Sequence, residues 1–117
     1  MDFLDLVRAL IAGDLLSARQ WVADARRTDF RGQTLARPSG LTPLELSVAA
    51  GMAELLALRW GVTAPPWTVD VGGSDQPVFL DPGLETMPRT FAHVKEEGPT
   101  PLLSRNLFAT ADFLDVR

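Results

Sequence analysis

Apolar positions follow a helical period in the first half of the chain and lose it in the second. From Asp2 to Ala12, Phe3, Leu6, Val7, Leu10 and Ile11 recur at helical spacing, and Gly13 suits the left-handed position just past a helix end. A first helix is predicted to stop there. Asp14 is placed to accept from the next free N–H groups, and Leu15, Ala18, Val22 and Ala25 form one stripe with Trp21 at its edge, predicting a second helix to about Arg27. Only Gly13 and Asp14 separate the two, so they must fold back as an αα-hairpin.

Residues 28 to 41 mix Gly32, Pro38, Ser39 and Gly40 with Arg31 and Arg37 and show no period, which predicts a loop. Thr42-Pro43-Leu44-Glu45 then spells a capping box, with Thr at N-cap, Glu at N3 and Pro at N1. The helix that follows can run to Trp60 with Gly61 beyond it. Gly51 is either a mid-helix glycine, costing about 1 kcal/mol against Ala, or the turn between two short helices. Leu44, Val48, Met52, Leu55 and Leu56 share one broad face, while Leu46, Ala49 and Trp60 take much of the other side. A helix apolar on so many sides belongs at the centre of the fold, and one hairpin covers only part of it.

From Val62 to Met87, Pro65, Pro66, Pro77, Pro82, Gly72, Gly73 and Gly83 rule out a long helix, yet Trp67, Val69, Val71, Val78, Phe79 and Leu80 stay apolar. This predicts an extended arm anchored by Trp67 and Phe79, with room for a short strand at Val78 to Leu80, because burying such rings offsets the cost of ordering the chain. Phe91 and Val94 lie three apart ahead of Gly98-Pro99, which predicts a fourth helix over 88 to 97, and Pro101 to Arg105 can add one turn. Leu107, Phe108, Phe113 and Leu114 make the end apolar enough to pack. The predicted fold is mainly α and a single domain: a helical core over 1–61, an extended arm over 62–87 and a helical tail over 88–117.

Composition narrows the chemistry. The 117 residues are 46% hydrophobic and 22% charged, as in an ordinary globular domain, and 11 basic against 15 acidic side chains leave −4. Nucleic acid is therefore not the expected partner. With no Cys, disulfides, thiolate nucleophiles and Cys-ligated metals are excluded; with no Tyr and His93 as the only histidine, a triad or a multi-histidine zinc site has little to draw on. Asp2 and Asp5 stand where a secretory signal carries basic residues, and no stretch supplies 18 uncharged apolar residues, so no membrane association and a cytoplasmic location are expected. Ten Arg against one Lys resembles the coding bias of a GC-rich bacterial genome.

The candidate sites are few. Glu96 and Glu97 sit three and four residues after His93, which is metal-like spacing on a helix, but a lone histidine at an exposed helix end is more often a charge-paired surface residue, and that is the favoured reading. No metal or other cofactor is assigned. Gly72-Gly73-Ser74 offers N–H groups to an anion without the Lys or helix start of a phosphate loop, so a flexible turn is expected. Arg26, Arg27, Arg31 and Arg37 suit either an acidic partner or simple solvation of the end of the second helix. Asp70, Asp75, Asp81 and Glu85 are expected in solvated turns. Leu41 to Gly51 has the outline of the first helix of a helix-turn-helix, but Met52 to Ala57 offers no Arg, Lys, Asn or Gln to read a base.

Two stretches resemble known families. Gly40-Leu41-Thr42-Pro43-Leu44 followed by Ala49, Gly51, Glu54, Leu55 and Leu56 is similar to the ankyrin repeat, with Ala9, Gly13 and Asp14 in the place of a preceding repeat. The resemblance implies a turn at Gly51, although Glu45 stands where that repeat has His. Over 60–117, Pro65-Pro66-Trp67-Thr68, Phe79-Leu80, Pro99 to Leu103, Arg105-Asn106-Leu107-Phe108 and Asp112-Phe113-Leu114 resemble the C-terminal region of uncharacterised bacterial proteins, some with a helix-turn-helix domain in front. That resemblance implies a regulatory or antitoxin-like setting and carries no catalytic residue. The expected function is a small non-catalytic interaction module that binds a protein partner or a second copy of itself through Trp67, Phe79, Trp60 and Phe108. The alternative is an enzyme or a ligand- or metal-binding protein with a pocket beneath the 62–87 arm near His93.

Overall fold

The computed structural model describes residues 2–28, 35–81 and 83–115. Arg31 and Gly32 of the expected 28–41 loop, and Pro82 of the arm, lie outside them. The fold is mainly helical. Helix α1 (Phe3–Ile11) starts at Asp2, whose carboxylate accepts from the Leu4 N–H at 3.1 Å, and Gly13 beyond it takes φ +76°. Helix α2 (Leu15–Thr28) follows at once, with the Ser17 N–H donating to Asp14 at 3.1 Å. The predicted hairpin forms, burying Phe3, Leu6, Val7 and Leu10 of α1 against Ala18, Trp21, Val22 and Ala25 of α2.

Helix α3 (Pro43–Trp60) is an uninterrupted run of 18 residues. Its capping box is complete: Glu45 N–H donates to Thr42 Oγ1 at 3.2 Å, and Thr42 N–H donates to Glu45 Oε1 at 2.9 Å. Gly61 closes it with φ +69°. Gly51 therefore makes no turn, and the break that an ankyrin repeat needs is absent from this helix. A Cβ at Gly51 would stand 3.0 Å from Leu102 Cδ2 and 3.1 Å from Leu107 Cδ1, so the glycine lets the C-terminal segment approach the α3 backbone. From Ser47 to Ala57 every α3 residue except Glu54 is buried, which makes it the central helix its pattern predicted.

The arm is less extended than expected. Pro66 presets the backbone for a 3-10 turn over Pro66–Asp70, and a second one spans Leu84–Thr86. Between them β1 (Val78–Phe79) forms as a short strand. The tail departs from a wholly helical reading. After α4 (Pro88–Glu97) and the single-turn α5 (Thr100–Leu103), β2 (Leu107–Phe108) pairs in parallel with β1, in the register Val78 to Leu107 and Phe79 to Phe108. Parallel neighbours require a long crossover, and α4 and α5 provide it. The remaining turns, 111–114, bring Phe113 and Leu114 into the main core.

Two apolar clusters result. The larger gathers α1, α2, α3, Leu35, Leu80, Leu102, Leu107 and Phe113. The smaller packs Leu84, Val94 and Phe108 with Phe79 and Phe91, whose rings meet edge to face at 5.1 Å, while Phe91 meets Phe108 edge to face at 5.0 Å.

Candidate functional site

The arm and the tail are joined at one charged node. Arg105, 7% exposed, donates from Nη1 to Glu54 Oε1 at 2.6 Å and to the Pro101 carbonyl at 3.2 Å, and from Nη2 to Glu54 Oε2 at 3.0 Å and to the Thr68 carbonyl at 2.9 Å. This two-pronged pairing ties α3, the Pro66–Asp70 turn and α5 together. Burial opposes the Glu54 carboxylate, but the Arg105 guanidinium and the Thr68 hydroxyl outweigh it and hold its pKa below the ordinary value. Around the node, Ser47 Oγ donates to the Gly72 carbonyl at 3.0 Å, Ser74 N–H donates to the Arg105 carbonyl at 3.0 Å, and Asn106 Nδ2 donates to the Ser74 carbonyl at 3.2 Å. A Cβ on Gly73 would lie 2.6 Å from Arg105 Cα. Gly72-Gly73-Ser74 is thus a packed crossing of two backbones, rather than the flexible turn expected.

The four rings named as partner contacts have different fates. The Trp67 indole donates to the Leu35 carbonyl at 3.0 Å and is partly buried against the main core. Phe79 and Phe108 face each other at 5.7 Å, Phe108 being buried. Trp60 borders an open groove, a cavity of about 420 Å³ between α2, α3 and the 111–115 segment, and Phe79 lines another of about 410 Å³ between the end of α1 and β1. Val22, Leu56 and Leu114 line the first with Trp60, and Arg26, Arg59 and Asp115 bring the charges. Arg59 holds the tail as one wall: its guanidinium donates to the Phe113 carbonyl and, at 3.1 Å, to the Ala111 carbonyl. Burial lowers the Arg59 pKa, and the nearby Asp115 and Asp112 act against that shift. Of the other clustered arginines, Arg27 pairs with Asp24 at 2.7 Å and Arg37 is exposed.

His93 Nε2 lies 2.9 Å from Glu97 Oε2, both side chains well exposed. They edge a cleft of about 240 Å³ closed by Val94, Thr110, Ala111 and Asp112. The cleft therefore lies between α4 and the tail, not beneath the 62–87 arm, and Glu96 does not border it. Among the described residues no group of three His, Cys, Asp or Glu side chains is placed to hold a metal ion. Asp70 and Asp75 are exposed and Asp81 is half-buried, while the Glu85 side chain lies outside the described set. Met52, Ala53, Leu55, Leu56 and Ala57 are buried within α3, where no nucleic-acid groove reaches. No helix among the described residues is long and apolar enough to cross a membrane.

No protein-family model, curated protein or solved structure matches the chain. The functional reading accordingly rests on the molecule's own surface. Three large apolar side chains stand well into solvent, Leu16 at 82%, Leu58 at 70% and Val69 at 80% exposure, and the groove beside Trp60 adds a concave apolar floor ringed by charge. Sequence reasoning missed Arg59 and the pairing of Arg105 with Glu54. The one available signal was Glu54, an isolated acid in a helix otherwise apolar from Leu46 to Leu58 apart from Ser47 and Gly51.

Proposed function

We propose that the chain is a small non-catalytic interaction module that binds a protein partner, in the regulatory or antitoxin-like setting implied by the resemblance of its second half to bacterial proteins. The observation that carries this reading is the groove beside Trp60. A ring, an apolar floor and flanking guanidiniums together are the composition of interface anchors, where Trp and Arg are enriched. Trp67, Phe79 and Phe108 lie outside this groove, Trp67 held by the Leu35 carbonyl and Phe79 packed with Phe108, so Trp60 is the ring that carries the contact.

Recovery of the tagged chain from its own host at native abundance tests the reading. A stoichiometric protein is expected, and it should be lost from Trp60→Ala and kept by Met87→Ala, which alters an exposed side chain away from the groove. Recovery of the chain alone, or of a protein indifferent to Trp60→Ala, would overturn it. The second reading, a ligand- or metal-binding protein or an enzyme, is favoured by one feature, the His93–Glu97 pair at the mouth of the α4–tail cleft. A metal or metabolite in the same preparation, lost on His93→Ala, would establish that reading instead.

A further inference from the structure

The two-stranded ladder uses one edge of β1 and leaves the other free. The Val78 and Leu80 N–H groups donate toward β2, to the Asn106 and Phe108 carbonyls, at 3.0 Å each. Backbone groups alternate along an extended chain, so the Pro77 carbonyl, the Phe79 N–H and the Phe79 carbonyl all point to the opposite edge. Among the described residues none of these three groups has a hydrogen-bond partner. Pro77, which has no N–H to offer, stands exposed at the start of this edge, a place where proline is tolerated.

The free edge opens into a groove of about 410 Å³, with residues 77–80 as one wall and 10–13, at the end of α1, as the other. Every lining side chain is apolar or, at Gly13, absent, so the polar groups these walls carry belong to the backbone. An acceptor, a donor and an acceptor in strand alternation match the backbone of an extended peptide, as when a strand adds to a sheet edge. The charges beside both walls are acidic: Asp14 follows Gly13, Asp75 and Asp81 flank β1, and no Lys or Arg occurs in 9–18 or 70–88. Asp14 caps Ser17 and Asp81 accepts from the Thr110 N–H at 3.4 Å, whereas Asp75 is exposed without a partner among the described residues. We infer that this groove takes an extended segment of a partner protein as a third strand beside β1, apolar where it meets the walls and flanked by Lys or Arg. The contact goes beyond the one proposed at Trp60. That groove borders Val22 and Arg26 in the second half of α2, while this one lies where α1 ends and α2 begins, at the other end of the hairpin. A second copy is the less suitable occupant, because each copy's β1 edge faces its own α1 end across the groove.

The test is fluorescence polarisation of the full chain with the fluorescein-labelled peptide Lys-Lys-Val-Thr-Val-Thr-Val-Lys-Lys. One comparison peptide carries backbone N-methyl groups on the central Thr-Val-Thr, which removes the donors and keeps the side chains; the other has Glu in place of all four Lys. Saturable binding of the first is expected, weaker by about tenfold or more for each of the others. Amide hydrogen exchange locates the contact: Phe79 should exchange faster than Val78 and Leu80 in the free chain, and saturating peptide should slow it by about tenfold or more. Ala12→Arg, at an exposed position on the far wall, and Asp75→Lys, at an exposed acid, should each weaken binding about threefold or more with the melting temperature unchanged. Trp60→Ala should leave the affinity as it is. No saturable binding, equal binding of either comparison peptide, unaltered exchange at Phe79, or indifference to both Ala12→Arg and Asp75→Lys would overturn the inference. So would binding that is lost with Trp60→Ala and kept with Ala12→Arg, or a concentration-dependent dimer in light scattering that Ala12→Arg dissolves, which would give the edge to a second copy. If the peptide fails while a host protein is still captured in a Trp60-dependent way, this inference falls and the interaction reading stands.

Discussion

The α1–α2 hairpin and the segment from Gly61 to Asp115 enclose the same helix, α3, by different means. The hairpin uses regular helices whose caps, stripes and turn lie within a few residues of one another. The second region uses two 3-10 turns, a two-residue parallel ladder and hydrogen bonds between groups far apart in sequence, from Ser47 to Gly72, Glu54 to Arg105 and Thr68 to Arg105. Local rules build the first, whereas the second has form only when its distant partners are present. The contrast also locates the proposed contact surface, because the groove beside Trp60 has α2 as one wall and the Arg59-held tail as another.

The largest way to break the comparison is to delete residues 99–117. This removes α5, β2, Arg105 and Phe113, leaves the Gly51 face of α3 bare, and should abolish the cooperative melting transition seen by circular dichroism. Next is Glu54→Ala, which leaves the buried Arg105 guanidinium unpaired. Single-partner loss from a buried pair costs about 3 kcal/mol or more, and about 2 kcal/mol is expected here because the Glu54 side chain keeps 25% exposure. Urea unfolding measures it, and adding Arg105→Met should restore most of the loss. The same pair sets a pH dependence. The folded pKa of Glu54 lies below the unfolded value of about 4.3, so its contribution is complete well above that value and is lost as pH falls through the depressed folded pKa. Acid titration of Glu54→Gln should lack that component.

Gly73→Ala comes after these. Its Cβ would meet the Arg105 backbone at 2.6 Å, and backbone cannot swing aside as a side-chain tip can, so a loss of about 1–3 kcal/mol is expected in the same unfolding experiment. The smallest effect belongs to the local signals: Thr42→Ala removes one half of the capping box and should cost about 1 kcal/mol. A Thr42→Ala loss equal to that of Glu54→Ala would erase the distinction between locally and remotely specified structure.

What could be read in the sequence follows the same division. Asp14 after Gly13, the stripe from Leu15 to Ala25 and the Thr42–Glu45 box are short-range statements, and each stands in the structure as the spacing predicts. The fourth helix was legible from Phe91, Val94 and Gly98 for the same reason. Gly51 was ambiguous because its purpose is the approach of Leu102 and Leu107, some fifty residues onward. Gly73 looked flexible because the turn at Arg105 that it crosses is remote in sequence. Leu107-Phe108 was assigned to a helical tail because a two-residue parallel strand has no period of its own, and only its partner at Val78-Phe79 defines it. For the candidate site, Trp60 was visible as an aromatic residue at a helix end, but Arg59 beside it acquires a role only through the carbonyls of Ala111 and Phe113.

The central claim is that the second region is held to α3 by the Arg105–Glu54 node while the hairpin stands on its own local structure. Residue-resolved hydrogen exchange of Glu54→Ala against the natural chain tests it most directly. The amides of Ser74, Val78 and Leu80, which donate to Arg105, Asn106 and Phe108, should lose protection by about tenfold or more, while those of Leu10 in α1 and Val22 in α2 keep theirs. Equal loss in both regions, or no loss at Ser74, Val78 and Leu80, would contradict it.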